Sequence, residues 1–314
     1  MVRAKIVILG AGSLGSTNIL MKSSEVREHG LEVSSQLGKR FTTNGDNIGL
    51  CYNGEAVVRS VGQKLSGADE FSGGPGPCIT GVIDMRNRPG KSLEEGYVLQ
   101  DSTPPSAINL PFNFMLKLIE QSHMEPPDSP RKSSFERRQL GTIFSRDASE
   151  NTLPLLALSN DTASGEIKLD SKNGRVWIEY PNLGQGRNLT ELREGMKSAS
   201  KALKGEFISD PDLSSVIENL KDTKGITTLH PLGGCGMGES GRTGVVNHAG
   251  QVFKGDTDEL HPGLYVVDGS VMPRSLGVNP CLTIAMIAER CMRLMASQHR
   301  WRIDYDKWIH LRKS

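Results

Sequence analysis

Two stretches near the C-terminus hold residues whose types and spacing could do chemistry. The first, T-L-H-P-L-G-G-C-G-M-G, carries His230 ahead of a tight glycine turn. The second, L-Y-V-V-D-G-S-V-M-P-R-S-L-G-V-N-P, ends on Asn279 and Pro280. An imidazole titrates near neutral pH, so His230 is a candidate for taking a proton from a substrate. Pro280 suits the first turn of a helix that runs through Cys281, Leu282, Ala285, Met286 and Ile287. Upstream, the apolar run Leu264 to Val267 stops on Asp268-Gly269-Ser270. A strand that ends this way and leads by a short loop to a helix N-terminus can hold a large polar cofactor. A packed histidine and an ordinary strand-ending turn are the bland readings of the same residues.

A third candidate opens the chain. A-K-I-V-I-L, residues 4–9, has the β-branched apolar character of a central parallel strand. Gly10, Gly12 and Gly15 follow at G-x-G-x-x-G spacing and lead into a helix through Ile19, Leu20 and Met21. A dinucleotide fingerprint also needs a second strand with an acid about 20 residues on. Glu32 stands at that offset, but V-S-S-Q-L-G-K-R after it does not continue as a strand. A glycine turn that lets strand and helix pack closely accounts for the same three residues. A nicotinamide-dependent enzyme using Gly10 to Gly15 is one alternative, although it leaves the C-terminal stretches without a role.

The elements that must position these residues belong to a chain of 314 residues, long enough for two domains or one large one. Lys plus Arg (37) nearly cancel Asp plus Glu (36), so no global field draws nucleic acid or an anionic membrane. With 35 glycines and 5% aromatic residues the composition suits a loop-rich α/β enzyme. The five cysteines, Cys51, Cys78, Cys235, Cys281 and Cys291, are scattered without a C-x-x-C pair. A disulfide framework and a metal site are therefore not expected, and a cytoplasmic, reducing setting is the default. No apolar run is long enough to span a bilayer and no signal-peptide core is present in this sequence.

Along the chain, I-G-L-C-Y and E-A-V-V-R-S flank an Asn53-Gly54 hairpin signal. Strands are expected at T-G-V-I-D-M-R, at Gly96 to Asp101, at Leu153 to Leu158, at Glu166 to Leu169 and at Val176 to Tyr180. Helices are expected at about 107–121 and 189–203, and residues 123–150 read as a polar surface loop or lid. Residues 297–314 form a tail whose Trp301, Tyr305 and Trp308 are expected to cap the core.

H-P-L-G-G-C together with D-G-S-x-x-P-x-x-x-G-V-N-P resembles the glucose-methanol-choline flavoprotein oxidoreductases, in their cholesterol oxidase-like branch. I-V-I-L-G-A-G-S-L-G-S-T, L-G-K-R-F-T-T-N-G-D, T-G-V-I-D-M-R and S-N-D-T-A-S-G-E-I-K-L add to the resemblance, which covers roughly residues 1–296. It implies an α/β fold: an incomplete Rossmann-like FAD-binding domain (1–50 and 230–296) and an α+β substrate-binding domain of the FAD-linked reductase type (51–229). In relatives the adenine-diphosphate fingerprint stands upstream of the segment matching Val7 to Leu20, so Gly10, Gly12 and Gly15 match the family's later glycine turn. A catalytically incompetent C-terminal fragment, dependent on a missing N-terminal segment or a partner chain, is accordingly the second reading.

The resemblance also implies roles. FAD would be the cofactor, a sterol-like alcohol the substrate and O2 the acceptor. His230 would contact the substrate hydroxyl and Asn279 would position substrate or flavin. Asp268 and Gly269 would approach the ribityl or pyrophosphate region. The helix opening at Pro280 and Cys281 would stabilise negative charge on the reduced flavin. Asp101 would be the carboxylate base of a coupled double-bond shift, with a surface or capping aspartate as its plain alternative.

Overall fold

The computed structural model describes residues 4–26, 30–58, 78–103, 116, 151–181, 189–209 and 228–305. In chain order the elements are β1 (Val7–Leu9), α1 (Gly12–Ser24), β2 (Asn47–Tyr52), β3 (Val82–Asp84) and β4 (Tyr97–Asp101). Then come β5 (Leu153–Ser159), β6 (Glu166–Asp170), β7 (Arg175–Glu179), α2 (Leu189–Ala202) and β8 (Glu206–Ser209). The C-terminal region adds β9 (Gln251–Phe253), β10 (Leu260–Val266) and α3 (Cys281–Gln298). The expected helix at 107–121, apart from helical Leu116, and the surface loop at 123–150 lie outside the described residues.

The chain divides into two compact units. The first comprises residues 1–44, 161–186 and 229–314; the second comprises 45–160 and 187–228. Residues 161–186, which the sequence-based division kept with 51–229, thus fall in the first unit, where β6 and β7 form a hairpin. Phe41 and Gly165 exchange both backbone hydrogen bonds, and Ile167 donates to Gly38, which joins the hairpin to the 38–42 segment.

In the first unit β10 lies between β1, parallel to it, and β9, antiparallel. Leu20 of α1 packs into a core with Cys235, Val245, Val246, Val252, Val266 and Val271. Among the described residues β1 is paired on one side only. Its neighbouring Val7 and Ile8 point to opposite faces yet remain 44% and 43% exposed. The expectation of a central parallel strand is therefore met in direction, β1 running parallel to β10, but among the described residues β1 lies at the sheet edge and is not buried. Leu282 and Met286, one helical turn apart on α3, are 71% and 63% exposed.

The second unit is a five-stranded antiparallel sheet, β3-β4-β5-β2-β8, with α2 against it. Tyr97 and Leu99 of β4 and Leu155 and Ala157 of β5 alternate onto one face, where Leu192 and Met196 of α2 meet them. The expected hairpin at Asn53-Gly54 does not form. Asn53 does take a left-handed turn (φ 49°), but both edges of β2 are already occupied, by β5 and β8. No edge is left for the following run.

The described part of the tail also differs from expectation, and Trp308 lies outside the described residues. Trp301 and Tyr305 are each 52% exposed, with Trp301 stacked on His299, so they do not cap the core. No helix among the described residues is long and apolar enough to cross a membrane. The β1 edge left unpaired among the described residues and the exposed apolar side chains of β1 and α3 favour association. The 314-residue chain alone is expected to self-associate in sedimentation velocity at micromolar concentration; a monodisperse monomer with one cooperative melt would contradict this.

Candidate active site

The turn after β10 organises the site. Val267 donates its N–H to Leu9, and Asp268 then caps a 3-10 turn at Gly269–Val271. The Asp268 carboxylate, 8% exposed, accepts four hydrogen bonds. Oδ1 takes Ser270 N (2.9 Å) and Ser270 Oγ (2.5 Å); Oδ2 takes Gly12 N (2.9 Å) and Ser16 Oγ (2.5 Å). A carboxylate at a helix start satisfies orphan N–H donors and complements the dipole. The first donor of α1, which a nucleotide phosphate would use, is thus committed to Asp268.

The glycines behave accordingly. Gly12 has φ +74°, a left-handed conformation that a side chain rarely adopts, and a Cβ on Gly10 or Gly12 would meet nothing within 4 Å. Residues 30–40, where a dinucleotide fingerprint needs its second strand, contain turns and no strand. Glu32 there meets Lys254 at 3.8 Å on the surface.

The His230 stretch threads between two walls. On one side Leu232 exchanges both backbone hydrogen bonds with Thr42 (3.0 Å each), and Gly234 donates to Lys39 (3.1 Å). On the other side Gly233 donates to Gly269 (3.1 Å) and Cys235 donates to Ser270 (2.9 Å). Gly233 has φ +83°, and a Cβ there would lie 2.0 Å from the Arg40 carbonyl oxygen. Only glycine passes at that point. Ser13 Oγ of α1 donates to the Pro231 carbonyl (2.9 Å), fixing the residue next to His230.

The second stretch returns to the first. Asn279 Nδ2 lies 3.5 Å from His230 Nε2, a long contact. Pro280 follows as the residue before α3, and its carbonyl accepts from Ile284 N (2.9 Å). The 18-residue helix has no side-chain cap at its start, where Cys281 is exposed. Its first-turn donors and dipole therefore face outward beside the His230–Asn279 pair.

His230, Asn279, Pro280, Cys281, Asp268, Gly269, Gly10, Gly12 and Gly15 all belong to the first unit. Asp101 belongs to the second, at the end of β4. Its carboxylate accepts from Thr80 N and Gly81 N (2.8 Å each) and from Thr80 Oγ. Burial pushes the carboxyl up, but these hydrogen bonds outweigh it and the net shift is downward. Cys235 is fully buried with its thiol pushed up to about 11 by burial, as a packed thiol and not a nucleophile.

Two residues escaped the sequence reading. Asp161 accepts from Thr42 Oγ1 (2.6 Å), Thr43 N (3.0 Å) and Ala163 N (2.9 Å). Asn44 accepts from Leu276 N (2.7 Å) and Gly277 N (3.1 Å), and donates to the Val278 carbonyl (2.7 Å). Both read locally as turn formers; the signal available was only that each sits in a stretch carrying the family resemblance.

Residues 161–288 match the family model described as GMC oxidoreductase. The chain is 43% identical over 304 residues to a cholesterol oxidase of Acinetobacter baumannii, covering 95% of this chain and 48% of that protein. A cholesterol oxidase of Mycobacterium tuberculosis (strain CDC 1551 / Oshkosh) is 42% identical over 305 residues, covering 92% of this chain and 46% of that protein. A formate oxidase structure from Aspergillus oryzae RIB40 superposes with TM-score 0.53 at 17% identity, covering 94% of this chain and 54% of that one. The chain belongs to the GMC oxidoreductases and carries that family's C-terminal domain. Within the family it is a homologue of the cholesterol oxidases, and it spans about half the length of the curated relatives it matches.

Asp268→Asn would set an amide N–H against the Gly12 donor while keeping the volume. The expected loss is about 2 kcal/mol in urea-induced unfolding; an unchanged midpoint would show that the carboxylate is not holding α1 and the turn together.

Proposed function

We propose that the chain serves an FAD-dependent oxidation of a sterol-type secondary alcohol, converting a 3-hydroxyl to a ketone with O2 as acceptor. The observation that carries this reading is the meeting of His230 and Asn279 at the uncapped start of α3. The 43% identity to a cholesterol oxidase over 95% of the chain supports the sterol class.

The residues present fit FAD. Gly10 and Gly12 present backbone with open space where a side chain would stand. The start of α3 offers N–H donors without a competing side-chain cap. We assign Pro280, Cys281 and the first turn of α3 to an anionic edge of the cofactor, and Gly10, Gly12 and Gly269 to backbone approach. FAD, when bound, supplies the hydride acceptor. Asp268 contributes indirectly, because its four hydrogen bonds hold the turn and α1 in place.

The alcohol chemistry asks the chain for a proton acceptor and an orienting dipole. For Asn279 Nδ2 to donate to His230 Nε2, the imidazole would carry its proton on Nδ1. A substrate hydroxyl entering this long contact would donate to Nε2 and accept from Nδ2. His230 would then take the hydroxyl proton at Nε2 as the carbinol hydride leaves. Asn279 would hold the oxygen so that the C–H bond keeps one orientation. Asp101 is a weak candidate for a coupled double-bond shift, because the donors that lower its pKa also make it a poorer proton acceptor.

The test is a visible absorption spectrum after incubation with FAD and desalting, followed by O2 consumption with a sterol. Near-stoichiometric flavin bands are expected. His230→Ala is expected to keep the flavin and lower kcat by roughly 10²–10⁴-fold. A colourless protein, or a His230→Ala variant as active as the parent, would contradict the reading.

A further inference from the structure

We propose that Asn44 is the positioning residue for the His230–Asn279 pair, holding the loop that presents the Asn279 amide to the imidazole. The inference rests on the proposed function only in treating that pair as the reacting one.

The three residues immediately before Asn279 all bond to this one side chain. Asn44 Oδ1 accepts from Leu276 N (2.7 Å) and Gly277 N (3.1 Å), and Nδ2 donates to Val278 O (2.7 Å). Asn44 is fully buried and holds φ 58°, a left-handed conformation. Among residues with side chains, asparagine adopts that conformation with relative ease. It also offers an acceptor and a donor on one planar group. Aspartate would present a second acceptor to the Val278 carbonyl, and glycine would keep the backbone and lose every pin.

The same short segment grips the other half of the pair. Thr42, two residues before Asn44, exchanges backbone hydrogen bonds with Leu232, two residues after His230 (3.0 Å each). Residues 42–44 therefore form one strap with His230 at one end and Asn279 at the other. The strap is itself braced. Thr42 Oγ1 accepts from Asn44 N (2.8 Å) and donates to Asp161 (2.6 Å), which also takes Thr43 N (3.0 Å). Asp161 N in turn donates to Ser275 Oγ (3.1 Å), just ahead of the pinned loop. The circuit closes on itself, so residues 42–44, Asp161 and Ser275 together set the spacing between imidazole and amide.

The test uses the whole 314-residue chain with labelled histidine, following the His230 ring resonances by NMR. Asn44→Gly suits the left-handed backbone and removes the three pins. It is expected to move the His230 resonances in the direction of Asn279→Ala, and the double variant is expected to add little to Asn279→Ala alone. In the flavin-loaded protein kcat is expected to fall roughly ten- to a hundredfold with flavin retention unchanged. Unmoved His230 resonances in a folded Asn44→Gly protein, or shifts that simply add in the double variant, would overturn the proposal. Should Asn44→Gly fail to fold, Asn44→Asp, which loses only the donor to Val278, is read by the same two outcomes. Failure of the alcohol-oxidation reading would appear separately, as a parent protein that retains no flavin or oxidises no sterol.

Discussion

Asp268 accepts hydrogen bonds from α1 and from its own turn, and much of the first unit's geometry follows from where those donors are held. Gly12 and Ser16 lie more than 250 residues upstream of it, so one carboxylate closes a very long loop. A buried carboxylate is tolerable only when its lone pairs are satisfied, and here two of the donors come from a helix start whose dipole favours the charge. The turn it caps then offers the Gly269 and Ser270 carbonyls to Gly233 and Cys235, which suspends the His230 stretch from the same point.

The opposite wall is the 38–42 segment, tied to the β6–β7 hairpin through Phe41 and Gly165. Close passage between the two walls is what the glycine pair after His230 is for. A side chain at Gly233 would overlap the Arg40 carbonyl, so the strap and the turn could not both hold their bonds. With both in place, the imidazole, the amide and the start of α3 stand in fixed relation. Preorganisation of this kind matters because reacting groups must be held close to a productive geometry.

Local patterns carried the elements well and their partners poorly. β5, β6, β7 and α2 begin and end within about two residues of where their periodicity places them. The alternation of Tyr97, Leu99, Leu155 and Ala157 onto one face was likewise readable. The pairing of β2 was not. Asn53-Gly54 is a sound hairpin signal and does bend the chain, but β5 and β8, from residues 153–159 and 206–209, take the two edges of β2. Sequence separation of that size leaves no local trace. The site shows the same division. His230, Asn279 and Pro280 stand out by residue type against glycine and helix signals. Asn44 and Asp161 look like any turn residues, because their function lies in which distant backbone groups they bind.

The central claim is that side-chain clamps hold the His230–Asn279 arrangement in place. Native-state hydrogen exchange at four amides tests it most directly: Gly12 and Ser270, bound by Asp268, and Leu276 and Gly277, bound by Asn44. The account predicts that these amides are as strongly protected as those of β10, although they lie in turns and loops. Exchange at the rate of exposed loop amides would mean that the clamps open freely, and that the arrangement is not preformed.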